Sequence, residues 1–186
     1  MTNKDEIPVG YTRVTEVLNA YSGLQDIDPV VLAKAADRGT RVHNFCELYA
    51  RNLLIEEPDD DCIVYVNAFK EWFDRSVEHV EMLEERISSP KYRLTGKFDL
   101  LIRFKGDDAL SIVDIKTPQT KGATWALQTA AYRILMREEL GINANRRGCL
   151  MLPNTGASAK FVEYKQHEQD EDLYLSALRL YRYFHP

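Results

Sequence analysis

Cysteine is scarce in this chain, and what there is does not cluster. Cys46, Cys62 and Cys149 are three in number, an odd count at wide spacing, so they form neither a disulfide framework nor the paired knuckles of a zinc site. They read as small buried apolar residues in a protein kept reduced. No apolar run approaches the roughly 20 residues that a bilayer-crossing helix needs, and the opening MTNKDEIPVGY lacks the basic-then-apolar pattern of a secretory leader. The expectation is a cytoplasmic protein of a prokaryote or phage-infected host cell, with no membrane partner. Basic excess is missing too: 24 Lys and Arg stand against 29 Asp and Glu, for a net charge of −5. That disfavours binding a polyanion through an overall basic surface. It leaves room for a site that gathers carboxylates around cations, because a bound divalent ion reverses the local sign. Phosphate contacts then fall to individual basic residues such as Lys91, Arg93, Lys97, Lys121, Arg133, Arg137, Arg146 and Arg147. Repeats and low-complexity tracts are absent, as is a Gly-rich phosphate loop ending in Lys-Ser or Lys-Thr.

What the chain does have is 186 residues with 45% hydrophobic content, enough for one domain with a full core. Its organising stretch is Arg93 to Lys116, RLTGKFDLLIRFKGDDALSIVDIK. Two runs rich in Ile, Leu, Val and Phe flank Lys105-Gly106-Asp107-Asp108, a hairpin signal. If the hairpin is symmetric about Gly106-Asp107, paired residue numbers share one sum and Asp99 lies opposite Asp114. Like charges at that spacing, about 5 Å between Cβ atoms, destabilise a sheet unless a cation sits between them. Lys116, two residues on, shares the face of Asp114. The hairpin by itself admits two readings: a divalent-metal site with a lysine beside it, or a solvated face carrying a salt bridge.

The other elements follow from local signals. Residues 8–20 read as a turn and a short helix, capped by Thr12 or Thr15. Residues 21–29 are a loop, and Pro29 opens a second helix toward Ala36. Asp37 to Thr40 mark a kink or a new helix start, and a helix then runs to about Leu54. Its stripe of Val42, Phe45, Cys46, Tyr49, Leu53 and Leu54 faces the core, and His43 and Glu47 share a different face. After an acidic linker, a long helix is expected from Cys62 to about Met82, and an extended segment from 83 to 89. Pro118 ends the strand after the hairpin. Residues 123–140 form a helix stopped by Gly141, with Gln128 and Tyr132 on one face. Strands at 146–153 and 159–166 and a helix from about Asp170 to Phe184, with Leu173, Leu175, Leu178 and Tyr181 apolar, complete a mixed sheet flanked by helices.

Four pieces stand in order: RGTRVH, TGKFDL, VDIKTP and ALQTAAY. Together they resemble the PD-(D/E)xK nuclease superfamily, in particular its RecB-type and phage exonuclease branch, over roughly residues 10–165. The resemblance implies an α/β fold with a restriction-endonuclease-like core: a mixed central sheet flanked by helices, and N-terminal helices before it. As one domain, it would have a helical part at about 10–82 and a nuclease core at about 83–186. It implies a metal-dependent DNA nuclease, an exonuclease or end-processing enzyme with little sequence specificity; the alternative is a catalytically silent member that binds nucleic acid or protein. His43, Asp99, Asp114 and the Ile115 carbonyl would hold Mg²⁺ or Mn²⁺, and Lys116 would act with Asp99 and Asp114 in catalysis. Gln128 and Tyr132, with Lys121 and Arg133, would contact DNA. Gly39 and Thr40 would set up the histidine helix, Glu47 would support His43, and Glu84 or Glu85 would serve the site from upstream. Neither the count nor the placement of cysteines suits the iron–sulfur cluster that one subgroup carries. DNA is the expected partner, and a recombination or single-strand-binding protein fits as its companion.

Overall fold

The computed structural model describes residues 6–23, 27–53 and 56–185. It is a six-stranded mixed sheet with helices on both faces. Strand β1 (Thr12–Arg13) leads straight into helix α1 (Val14–Leu18) and a 3-10 turn (Asn19–Tyr21); then come α2 (Pro29–Ala50) and α3 (Ile63–Ser76). Strands β2 (Val77–Ser89), β3 (Leu94–Phe104) and β4 (Leu110–Lys116) precede α4 (Trp125–Leu140). Strands β5 (Arg146–Met151) and β6 (Lys160–Glu163) and helix α5 (His167–Phe184) close the chain.

The sheet runs β1-β3-β4-β5-β6, with β2 along the other edge of β3. The β3–β4 ladder has the register expected of a hairpin centred on Gly106-Asp107, pairing Leu100 with Val113 and Arg103 with Leu110. Parallel pairing of β4 with β5 needs the α4 crossover between them. Where sequence and structure agree, the signals are local. Asp28 caps α2 by accepting from the N–H groups of Val30 and Val31 at 2.9 and 3.1 Å, one residue before the first-turn Pro29. Gly141 takes the left-handed conformation (φ 66°) that ends α4.

Several expected boundaries move. The helix after residue 62 stops at Ser76, and 77–82 belong to β2, which pairs with β3 along nearly its whole length. Val77, Val80 and Leu83 suit a helix period as well as a strand, so the partner strand decides. Helix α2 is continuous through Asp37 to Thr40 and ends at Ala50 rather than near 54. Arg41 holds that turn, pairing with Asp37 one turn back and with Asp59 and Asp61 before α3. Neither Thr12 nor Thr15 caps α1: Thr12 is in β1, and Glu16 accepts from the Arg13 N–H at 3.4 Å. Leu53 and Leu173 are exposed rather than buried. Leu54, like residues 24–26 of the expected loop, lies outside the described residues.

Two cores lie on opposite faces of the sheet. One packs α1, α4 and α5 on the sheet through Val14, Leu94, Phe98, Ile112, Leu135 and Tyr174. The other packs α2 and α3 through Val42, Cys46, Phe69, Leu100, Val113 and Ile115. All three cysteines are buried thiols. The two ends of the described chain are tied together, since Tyr174 of α5 donates to the Val14 carbonyl and Tyr181 to Glu16 at 2.6 Å.

Buried ions lock α5 onto α4 and β5. Arg147, at 0% exposure, donates to the carbonyls of Ala126 and Gln166, to Thr129 and to His167, and pairs with Asp170. Glu171 takes both Arg133 and Arg137. Burial alone pushes the Glu171 carboxyl up, but hydrogen bonds and charge from Arg137 and Arg133 outweigh it and hold its pKa below the usual glutamate value. A depressed folded-state pKa stabilises the fold above the unfolded value near 4.3, and that contribution is lost as pH falls through the folded value. Glu171→Gln therefore costs about 2 kcal/mol at pH 7. In urea denaturation at a series of pH values, the gap from the parent closes below about pH 4.

Candidate active site

Strand alternation fails midway along β3, and the acids gather there. Residues two apart on a strand share a face, yet Phe98 lies in the core under α4 and Leu100 in the core under α2 and α3. On the neighbouring strand, Ile87 and Leu83 divide the same way. The change of side is centred on Glu84, which sits at φ 52°, a left-handed backbone that a glutamate adopts only under constraint. Across from it is Asp99. Strands β3 and β4 also part here: their ladder ends at Leu100 and Val113, one step before Asp99 and Asp114 would pair. Instead, Asp99 turns its Oδ2 to the N–H of Ile115 at 2.5 Å.

Three side chains converge on this break. Helix α2, seated by Val42 and Cys46, brings His43, whose Nδ1 lies 3.2 Å from Asp99 Oδ1. Ligand-type atoms of His43, Glu84 and Asp99 all lie within 4.8 Å of one another. Lys97 pairs with Glu84 at 3.0 Å. The crowding is visible in the proton affinities. Burial, then the charge of Asp99, raises the Glu84 carboxyl to about 7 against the pull of Lys97. Burial would lower His43, but the charge and hydrogen bond of Asp99, with Asp114 and Glu84 behind, raise it to about 9.

Asp114 stands beside this group, tied to α4. Its Oδ2 lies 2.7 Å from Lys116 Nζ, and its Oδ1 accepts from Gln128 Nε2 at 3.2 Å. Gln128 also accepts from Lys116 at 2.9 Å and donates to the Tyr132 hydroxyl at 2.9 Å. Gly96 lets the Tyr132 ring close on β3: a Cβ there would stand 2.9 Å from that ring and from Val14. Burial raises Asp114 despite Lys116, whose own pKa is raised because the Asp114 charge outweighs desolvation. At neutral pH Lys116 is an ammonium. A cavity of about 710 Å³ opens next to Lys116 and Gln128, between the α1 segment, the first half of α2 and residues 117–125.

The sequence-named residues divide accordingly. His43, Asp99, Asp114, Lys116, Gln128 and Tyr132 meet, and of the two upstream glutamates it is Glu84 that joins them. Ile115 takes part through its N–H. Glu47 does not reach His43; it pairs with Arg51, which donates to the Leu83 carbonyl. Arg133 is not on this face but is held by Glu171 and the Ala144 carbonyl. Lys121 lines the cavity, its Nζ 4.7 Å from the Tyr164 ring centre. Other basic residues expected to meet phosphate are engaged elsewhere: Lys91 with Glu138, Arg137 with Glu171, Arg146 with Asp107 and Glu163, and Arg147 in the core. The reading by spacing missed Arg38, which lines the cavity and stands just ahead of Gly39. Its only signal was the first letter of RGTRVH.

Comparison with known proteins bears on the family and the fold. The sequence model of the PD-(D/E)XK nuclease superfamily matches residues 62–179, well over half of the chain. No curated protein matches. Among solved structures, one described as a "putative exonuclease" from Eubacterium rectale superposes with a TM-score of 0.50 at 10% identity, covering 91% of this chain and 77% of that one. Another, described as SSO0001, gives a TM-score of 0.39 at 15% identity, covering 93% and 77%. At 10% identity the likeness to the Eubacterium rectale structure is one of fold alone.

The geometry separates the two glutamates experimentally. Glu84→Gln is expected to weaken Mn²⁺ binding by about 10–100-fold in titration calorimetry, whereas Glu85→Gln leaves it within about twofold of the parent.

Proposed function

We propose that this chain, which belongs to the PD-(D/E)XK nuclease superfamily, is a divalent-metal-dependent deoxyribonuclease that acts as an exonuclease or end-processing enzyme with little sequence preference. The observation that carries this reading is the His43, Glu84 and Asp99 group, with Asp114 and Lys116 beside it. The donor set suits the ion that members of this superfamily generally use. Two carboxylates are hard oxygen ligands of the kind Mg²⁺ takes, and an imidazole widens the choice to Mn²⁺. Crowded acids with raised proton affinity at Glu84 and Asp114 favour the same reading, since a cation relieves that repulsion. His43, Glu84 and Asp99 would hold the ion, with Asp114 adjoining. The ion, when bound, supplies Lewis-acid polarisation of the phosphate and favours a nucleophilic water at neutral pH.

The chain's own groups do the rest. Lys116, kept charged by Asp114, is a donor to a non-bridging phosphate oxygen, where negative charge grows during hydrolysis. Gln128 fixes the direction of the ammonium by accepting from it, and Tyr132 fixes Gln128. His43, half-buried next to Asp99, holds the carboxylate in place from the α2 side. None of these groups is of a kind arranged to read base edges; all act on phosphate or its surroundings, which supports weak sequence preference.

Lys116→Ala is expected to lower cleavage of end-labelled DNA by at least about a hundredfold and, because it strips buried Asp114 of its countercharge, to lower the unfolding midpoint without unfolding the protein at assay temperature. Cleavage at the parental rate by the folded variant would remove Lys116 from the reaction. Chelation should stop cleavage, and Mg²⁺ or Mn²⁺ should restore it; activity that survives thorough chelation defeats the metal assignment.

A further inference from the structure

The cavity beside Lys116 has a composition unlike the rest of the surface. Among the described residues that line it there is no carboxylate, and its charged groups are Arg38, Lys116 and Lys121. In a chain of net charge −5, a concave wall whose described lining carries Arg38, Lys121 and the Asp114-paired Lys116 but no acid favours an anion. The remaining wall is largely apolar, with Leu18, Ile27, Val31, Leu32 and Ala35. Ile27 and Val31 are left 41% and 58% exposed. A polyanion that also has apolar faces therefore fits both halves of the lining.

Arg38 adds an independent observation. Its Nε is buried and donates to no atom among the described residues. Its guanidinium carbon stands 5.4 Å from the centre of the Tyr65 ring. Arg41, Arg133, Arg137, Arg146 and Arg147 all meet carboxylates. Among the described residues Arg38, like Arg86, leaves its buried Nε unpaired, and a buried guanidinium donor left unmade costs free energy. A planar fork of donors on the wall of this cavity matches a phosphate group.

We infer that this cavity receives an unpaired DNA strand, with Arg38 and Lys121 holding its phosphates and the Leu18–Ile27–Val31–Leu32 wall covering base faces. The inference deepens the nuclease reading, on which it rests for the position of the scissile phosphate. A duplex buries its base faces within the stack and would set only charged backbone against Ile27 and Val31. The volume of about 710 Å³ also lies within the roughly 300–1,000 Å³ of pockets that enclose small ligands, the scale of a nucleotide or two rather than a double helix. Single strands are held elsewhere by this same pairing of a basic track with flat apolar or aromatic surface.

The test is fluorescence anisotropy of the full chain with a labelled oligothymidylate and with a blunt duplex of equal length, in chelator so that neither is cleaved. The single strand is expected to bind at least about tenfold more tightly. Arg38→Met should weaken strand binding by about tenfold and lower the slope of log affinity against log salt by about one. Arg38→Lys should recover most of that slope. Val31→Glu, at an exposed position that leaves the core untouched, should weaken strand binding similarly by setting a carboxylate against phosphate. Equal or tighter duplex binding, or parental affinity and slope in both Arg38→Met and Val31→Glu, overturns the inference. Strand binding as expected, with no cleavage by the parent in Mg²⁺ or Mn²⁺, would instead remove the nuclease reading and leave the cavity assignment in place.

Discussion

Three carboxylates held together against their mutual repulsion are the constraint around which this fold is arranged. Glu84, Asp99 and Asp114 come from three adjacent strands, and each feels the charge of at least one other. Without countercharge they would drive those strands apart. His43 supplies one counterweight from α2, Lys97 another from β3, and Lys116 a third from the same strand as Asp114. The surrounding packing over-determines the arrangement. Leu100, Val113 and Ile115 are clamped under α2 and α3, and Phe98 under Tyr132 of α4. This frame holds Glu84 at positive φ, a conformation that costs on the order of 1–3 kcal/mol. Stability is spent here on a cluster suited to bind a cation, the familiar exchange between rigidity elsewhere and tension at a working site.

How much of this was legible in the amino-acid sequence depended on the range of the forces involved. The β3–β4 register was legible as far as Leu100 and Val113, because Gly106 and Asp107 set it through a turn of a few residues, but the parting of the strands before Asp99 and Asp114 was not. Also legible were the first turn of α2 at Pro29 and the end of α4 at Gly141, each decided by local backbone preference. The switch of α3 into β2 at Val77 was not, because it depends on β3, which comes later in the chain. Nor was the choice of Glu84 over Glu85. Two adjacent glutamates differ only in which side of the strand they take, and that side is set by a face change no periodicity predicts. Gln128 and Tyr132, four apart on a helix, were legible as a pair. Their service to Lys116 and Asp114 required the α4 crossover to fold over the sheet.

The distribution of charge explains why composition alone is a poor guide to partners here. Most of the cations that spacing offered for phosphate contact are consumed in pairs that hold α4, α5, β5 and the α2–α3 junction together. The acids that make the net charge negative are correspondingly placed on other surfaces or at the candidate metal centre. What is left around the cavity is a small cationic neighbourhood, invisible in a sum of −5. Local composition of a concave wall, rather than isoelectric point, then carries the information about what enters it.

The tie between the first and last helices has a bearing on the order in which the molecule matures. Helix α1 forms part of the cavity rim through Thr15 and Leu18, and it is fastened by hydroxyls of Tyr174 and Tyr181. During ribosomal synthesis the rim segment leaves the exit tunnel before its fasteners, which follow more than 150 residues later in sequence separation. The sheet and its acids therefore assemble before the enclosure around them is finished. The rim of the cavity is thus fastened only once Tyr174 and Tyr181 have followed the sheet.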